Sequence, residues 1–209
     1  MRKRFALNLG VLFCFSAMLL LPRAMRADTV FSENFDETTA ALNVTQAGAF
    51  SAINGTNVDI VGAGDGWGFL CSGPESGNCV DLGGTGGNSV GNIELTTSLN
   101  LAAGTYLLSF DLIGSQRGPT TSTQVLFGSY NQMFTLTSDD MTSGVVTNAL
   151  VTVTGGPTQL EFIDLGDNDN IGSVLDNITI ASTPEPSSLA LLATSLLGAG
   201  GMLRRRFKA

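Results

Sequence analysis

Two carboxylates of this chain lie on the apolar face of predicted strands, because residues two apart in a strand share a face. Glu33 shares a face with Phe31 and Phe35. Asp176 shares a face with Val174, Ile178 and Ile180. A carboxylate on the core side of a strand needs a partner, and calcium accepts carboxylate and carbonyl oxygens. Chain termini of a domain commonly lie close together. We therefore predict a structural calcium bound by Glu33 and Asp176, with Asp36 as a further ligand. Alternatively, both side chains are half-exposed at strand ends and accept hydrogen bonds from backbone amides.

A second group of residues has the chemistry to bind a ligand. Arg117 is the one basic residue between positions 28 and 183, and Gln116 precedes it. Both can hydrogen-bond to sugar hydroxyls or to a glycan carboxylate, and Trp67, which is flanked by glycines, could serve as a stacking platform or as a buried plug. We favour the alternative for Arg117, pairing with a carboxylate, because the same region holds 17 acidic residues.

Residues 164–172 form an oxygen-rich segment. It does not fit the EF-hand pattern, because counting from Asp167 places Ile171 at the fifth position and Ile178 at the twelfth, where oxygen ligands are required. A solvated turn is favoured over a weak cation site.

The composition restricts catalysis. The chain contains no histidine, which excludes Ser-His-Asp and Cys-His catalysis and the usual zinc sites. Two carboxylates facing one cleft could still hydrolyse a glycoside, but no spacing singles out such a pair. We predict that the protein is not an enzyme.

Alternating segments predict an all-β body over residues 28–183. Residues 104–114 alternate apolar and polar side chains between two glycines, and shorter segments of this kind lie at 30–36, 58–61, 80–82, 92–95, 124–127, 132–137, 145–153, 159–164 and 174–180. No apolar stripe at helical spacing is convincing there. We predict an antiparallel two-sheet sandwich, a jelly roll.

The N-terminus predicts export. Arg2, Lys3 and Arg4 precede an apolar run at 5–21, as in a secretory signal peptide, with cleavage expected after Ala27. An uncleaved membrane anchor is the alternative.

The C-terminus carries a second membrane signal at 184–209. Pro184, Glu185 and Pro186 precede an apolar stretch at 187–203, which as a helix would be about 25 Å long, and then come Arg204, Arg205 and Arg206. This order resembles the PEP-CTERM sorting signal of Gram-negative bacteria. The resemblance implies a transmembrane helix at 187–203, transient anchoring in the inner membrane and processing by an exosortase.

Removing both ends leaves a strongly acidic body. It holds one basic and 17 acidic residues, a net charge near −16. Such a surface favours divalent cations or neutral glycans as partners over nucleic acid or anionic lipid. In an exported body, Cys71 and Cys79, separated by turn-forming residues, predict a disulfide.

The body also resembles known families. The pattern of Glu33 and Asp176 is similar to carbohydrate-binding-module sandwiches of the galactose-binding-like type, and the segments 79–84, 107–112, 114–117 and 175–178 resemble sandwich domains attached to PEP-CTERM tails. We therefore expect a non-catalytic cell-surface or matrix protein that binds exopolysaccharide. A glycoside hydrolase and a purely structural biofilm scaffold are the alternatives.

Overall fold

In the computed structural model of the chain, the described residues are 27–62, 66–72, 77–86, 90–141, 144–183 and Thr194. The chain divides into two compact units, of which Asp28–Thr183 is the one described below. The predicted signal peptide, sorting motif and transmembrane helix lie outside the described residues, apart from Ala27 and Thr194. None of the helices in the described part is both long and apolar enough to cross a membrane.

The described residues form short strands and one 3₁₀ helix, η1, over Gly68–Leu70. The strands are β1 Thr29–Glu33, β2 Ala41–Val44, β3 Gln46–Ala47, β4 Phe50–Ala52, β5 Val58–Val61, β6 Cys79–Asp81, β7 Asn92–Leu95, β8 Leu99–Leu101, β9 Gly104–Ile113, β10 Thr121–Phe127, β11 Tyr130–Leu136, β12 Val146–Val153, β13 Gly156–Thr158, β14 Leu160–Asp164 and β15 Val174–Ser182.

Two antiparallel sheets account for most of these strands. The larger sheet has the order β12-β9-β15-β6-β5-β2, with β1 also paired to β15, and the smaller sheet has the order β11-β10-β14-β7-β4-β3. A separate two-stranded ribbon joins β13 to β8. The predicted all-β antiparallel sandwich is confirmed.

All ten predicted strand segments are present, with ends shifted by a few residues. The prediction missed β2, β3, β4, β8 and β13, each of two to four residues. Strands this short show few alternations, so that of the strands of two to four residues the sequence identified only β5, β6 and β7.

The main core lies between the two sheets and contains a continuous series of phenylalanine contacts. Phe50 and Phe162 of the smaller sheet lie 5.9 Å apart between ring centroids, and Phe162 lies 5.4 Å from Phe110 of the larger sheet, both pairs nearly edge-to-face. Phe31 and Phe35 also contact Phe50. Aromatic contacts of this kind add to the burial energy and lock the two sheets together.

A β-bulge in β15 changes which side chains face the core. The pairing of β15 with β9 shifts between Asp176 and Thr179, and Asn177 has a φ of 51°. The extra residue reverses the alternation, so that Ile178 and Leu175 both face the main core while Asp176 lies on the other face. The prediction that Asp176 shares a face with Ile178 and Ile180 was therefore wrong.

Removing a core ring should cost far more stability than removing an exposed one. Phe162 is fully buried, whereas Phe69 is 52% exposed. We expect Phe162→Ala to lower the free energy of unfolding by about 3–5 kcal/mol and Phe69→Ala, the matched control, to change it by less than about 0.5 kcal/mol, measured by urea denaturation. Equal losses for both variants would contradict this placement of the core.

Candidate functional site

The outer face of the larger sheet carries a second, smaller apolar cluster. Val61, Leu70, Cys79, Ile113 and Val174 are buried there, with Cys71 and Met141 packed against them. Because Leu175 faces the main core, its neighbour Val174 must face outward, and this face is covered by loop segments that follow β5 and β11. We call this group the outer cluster.

A disulfide fixes one of these covering segments. Cys71 is bonded to Cys79 of β6, which confirms the predicted disulfide. Leu70, the last residue of η1, is 1% exposed and inserts into the outer cluster. The segment that holds Trp67 and Phe69 is thus attached to the sheet by a covalent bond and by a buried side chain.

Trp67 and Phe69 form an exposed aromatic pair on this segment. Trp67 is 39% exposed and Phe69 52% exposed, and their ring centroids lie 5.9 Å apart at an interplanar angle of 38°. The sequence left open whether Trp67 is a platform or a plug. Its partial exposure and its position beside a second exposed ring favour a platform, which we call the aromatic platform.

Arg117 connects the aromatic platform to the sheet. Its Nη2 donates a hydrogen bond to Oδ2 of Asp81, forming an ion pair with a carboxylate that is 1% exposed. The guanidinium carbon also lies 5.7 Å from the centre of the Trp67 ring. The favoured interpretation of Arg117, pairing with a carboxylate, therefore agrees with the structure. The same guanidinium makes a cation–π contact with Trp67.

Asp81 also joins two loops. Its Oδ1 accepts hydrogen bonds from the backbone N–H groups of Gly83, at 2.9 Å, and Gly172, at 3.0 Å. The backbones of these two glycines approach so closely that a Cβ on Gly172 would lie 2.0 Å from the nitrogen of Gly83. Any larger residue at either position would have to separate the loops.

Burial controls the electrostatics of Asp81. Loss of solvent raises its pKa from 3.8 to about 7, although Arg117 and the amides of Gly83 and Gly172 act to lower it. The charge of Asp59, which lies directly opposite on β5, is a smaller cause of the same rise in pKa. The site thus holds a carboxylate that is costly to ionise and that Arg117 helps to keep charged.

Asp59 is held by its own set of donors. Its carboxylate accepts hydrogen bonds from the backbone N–H of Asn43 at 2.6 Å and from the backbone N–H and hydroxyl of Thr85 at 2.8 and 2.5 Å. Two adjacent buried carboxylates on one sheet are therefore compensated by different partners.

Gln116 has other partners than the aromatic platform. Its Nε2 donates a 3.4 Å hydrogen bond to the carbonyl of Gly114 and contacts the sulfur of Met141. Of the three predicted ligand-binding residues, the structure brings Trp67 and Arg117 together, and it directs the amide of Gln116 to Gly114 and Met141.

Glu33 and Asp36 line one polar pocket of about 630 Å³. The two carboxylate oxygens of Glu33 accept hydrogen bonds from the backbone N–H groups of Phe35, at 2.9 Å, and Ala49, at 2.8 Å. Asp36 accepts one from the N–H of Asn78 at 3.0 Å. The alternative proposed for Glu33, hydrogen bonding to backbone amides, describes this arrangement.

Asp176 does not join that pocket. It is fully buried and lies directly opposite Asp111, on the outer face of the larger sheet, whereas Glu33 pairs with Ile178 on the core face. The structure therefore does not bring Glu33 and Asp176 together around one ion, because the bulge at Asn177 turns them to opposite faces. Within the described ranges no group of three or more acidic, histidine or cysteine side chains is arranged to hold a metal.

Sequence reasoning missed Asp81, Asp59 and Phe69. A signal for Asp81 was present, since it lies between the apolar Val80 and Leu82 and is followed by two glycines. Which of 17 carboxylates would pair with Arg117 could not be read from the sequence, because the two residues are 36 positions apart.

The comparison with protein families concerns the C-terminal end. Residues 182–206 match the PEP-CTERM protein-sorting motif. The chain carries a PEP-CTERM sorting motif. This agrees with the resemblance inferred from Pro184, Glu185, Pro186 and the three terminal arginines, and it indicates an exported, surface-directed protein. No curated protein matches the chain.

Solved structures of similar fold include carbohydrate-binding modules and adhesin domains. The CBM22-1 xylan-binding domain of Paenibacillus barcinonensis Xyn10C is 14% identical, with 78% of this chain and 100% of that chain covered and a TM-score of 0.49. A CBM35 domain from the same organism is 14% identical, with 73% and 99% covered and a TM-score of 0.42. The K1 cleaved adhesin domain of Lys-gingipain from Porphyromonas gingivalis W83 is 16% identical, with 74% and 98% covered and a TM-score of 0.47.

The raised pKa of Asp81 predicts a pH-dependent loss of stability. Because the folded state binds the proton of Asp81 more tightly than the unfolded state, this contribution is complete below pH 3.8 and is lost as the pH rises through about 7. We expect the free energy of unfolding of the unsubstituted protein to fall relative to that of Asp81→Asn between pH 4 and pH 8, measured by urea denaturation. Asp139→Asn is the control, because Asp139 is exposed, and its free energy of unfolding should change with pH as that of the unsubstituted protein does. The same pH dependence for Asp81→Asn as for the unsubstituted protein would contradict the prediction.

Proposed function

We propose that the protein is a non-catalytic, exported surface protein whose sandwich body binds a neutral carbohydrate, such as an exopolysaccharide, at the aromatic platform of Trp67 and Phe69. An exosortase acting on the PEP-CTERM motif and a signal peptidase acting near Ala27 are the processing partners. The observation that carries the proposal is the pair of exposed rings on a segment attached by a disulfide.

The aromatic platform has the properties that sugar recognition requires. The C–H face of a pyranose ring is apolar and packs on an aromatic face, while its hydroxyls remain available for hydrogen bonds. Because the Cys71–Cys79 bond and Leu70 already fix the segment, little conformational freedom would be lost on binding. Arg117 beneath Trp67 restrains the ring further.

The charges of the body favour a neutral ligand. With a net charge near −16 over residues 28–183, the body repels polyanions. Arg117, its one basic residue, is already paired with Asp81, so binding a glycan carboxylate there would compete with an existing ion pair. The sequence also allows acidic glycans, but this pairing favours the neutral class.

Catalysis remains the less favoured alternative. Glu94 and Glu161 lie directly opposite each other on β7 and β14, so that two carboxylates share one face of the smaller sheet, and a glycosidase needs such a pair. Neither faces the aromatic platform, since both belong to the smaller sheet. Turnover of a glycosidic substrate that is abolished by Glu94→Gln or Glu161→Gln would replace the binding proposal with a hydrolase.

Calcium at the pocket of Glu33 and Asp36 stays a prediction. Both carboxylates keep lone pairs that are not used by the backbone amides, but Asp176 does not contribute to this pocket. Unchanged thermal stability of the full-length protein in the presence of a chelator would argue against any structural calcium.

Glycan binding tests the proposed function directly. We expect the full-length protein to bind at least one neutral glycan on an array, and Trp67→Ala to weaken that binding at least tenfold, about 1.4 kcal/mol, measured by calorimetry with the selected glycan. Leu150→Ala is the matched control, because Leu150 is also exposed, at 69%, but lies on the edge strand β12.

Arg117→Ala is a poor test, because it removes the ion pair of the buried Asp81 and so lowers the folding stability as well as any binding. Absence of binding to any glycan would instead support the structural scaffold, and equal binding by Trp67→Ala and Leu150→Ala would place the glycan away from the aromatic platform.

A further inference from the structure

One edge strand of the sandwich is long, regular and open to a further strand. β11, at one end of the smaller sheet, pairs with β10 through seven consecutive residues without a register shift. Among the described residues no strand pairs with its other side. Because antiparallel neighbours exchange hydrogen bonds only at alternate residues, the remaining residues of β11 direct their N–H and C=O groups away from β10. β11 therefore presents a row of backbone donors and acceptors to another strand.

The other edge strands are shorter or irregular. β12, β2 and β1 each contain a register shift, and Asn148 of β12 and Asn43 of β2 both have a φ of 57°. Such bulges bend an edge away from an incoming strand. In β12, the N–H and C=O of Thr152 are also bonded to Ser129, both at 2.9 Å. β3 has only two residues, and β8 and β13 have three each.

The side chains of β11 do not protect this edge either. The strand contains no charged residue and no proline, which are the residues that usually prevent edge pairing. Asn131, Gln132 and Thr135 are exposed, and Met133, at the centre of the strand, is 59% exposed. The carbonyl of Met133 accepts a 3.2 Å hydrogen bond from the side chain of Gln132. A second strand laid against β11 would displace that exposed contact and cover part of Met133.

The distribution of charge indicates which partner fits this edge. Of the 17 acidic residues between positions 28 and 183, only Asp139 and Asp140 lie within 112–160, the range that contains both β11 and β12. Two copies with a net charge near −16 repel each other, and they can approach with the least repulsion along this side. A basic partner would be attracted to the acidic surfaces instead. The uncharged edge of β11 is therefore suited to a second copy of this chain.

We propose that β11 pairs antiparallel with β11 of a second copy, across a two-fold axis at Met133, and so joins the smaller sheets of two molecules. Met133 is the fourth of the seven residues, so an axis there pairs the whole strand. A two-fold contact of this kind is self-complementary and closes as a dimer. Asn131 of one copy lies opposite Thr135 of the other, and both side chains can hydrogen-bond. Because the strands run in opposite directions, Asp139 of one copy lies beyond Tyr130 of the other, so the two Asp139 carboxylates stay apart.

Cysteine cross-linking of the full-length protein tests the proposed pairing. Met133→Cys places two thiols at the two-fold axis, where opposite Cα atoms lie about 4.5–5.5 Å apart, a separation that a disulfide spans. After mild oxidation we expect a covalent dimer on non-reducing gels. Leu150→Cys is the matched control and should give no such dimer, because Leu150 is also exposed, at 69%, but lies on the irregular edge strand β12. Equal yields of dimer from the two variants, or none from Met133→Cys, would overturn the proposal.

Sedimentation of the full-length protein in detergent measures the same contact without a covalent bond. We expect a monomer–dimer equilibrium, and Met133→Glu should raise its dissociation constant about tenfold, because it places like charges opposite each other. Leu150→Glu makes the same charge change on β12 and should leave the constant within about twofold. Both positions are exposed, so neither substitution should impair folding. A monomer at every concentration, or equal effects of the two variants, would refute the pairing of β11, and neither measurement depends on glycan binding.

Discussion

The outer half of this sandwich depends on the ion pair between Arg117 and Asp81. Asp81 is buried on the outer face of the larger sheet beside Asp59, where an ionised carboxylate is unfavourable unless it is compensated. One guanidinium and two backbone N–H groups provide the compensation. The same contacts close the loops of Gly83 and Gly172 and support Trp67, so a single polar centre organises three separate segments.

The two apolar clusters are built on different principles. The main core is a conventional sandwich interior in which phenylalanines from both sheets contact one another. Among the described residues the outer cluster is small and is covered by loop segments, which a disulfide and the ion pair hold in place. Few apolar contacts suffice there because covalent and electrostatic constraints replace much of the missing buried area.

Local patterns made much of the fold predictable, and non-local pairing limited the prediction of the site. Alternation identified the longer strands, such as β9 and β10, because their period extends over at least three repeats. The parity argument failed at Asp176, since an extra residue in a strand reverses the alternation without any mark in composition. The partner of Arg117 could be expected to be acidic, but its identity required the fold.

The Cys71–Cys79 bond also sets when the aromatic platform can exist. The cytoplasm keeps such cysteines reduced, and an oxidising compartment allows the disulfide to form. Before export, the segment of Trp67 and Phe69 would lack its covalent attachment to β6. Maturation of this surface is therefore coupled to crossing the membrane, so that a precursor retained inside the cell would carry the residues of the platform without its fixed shape.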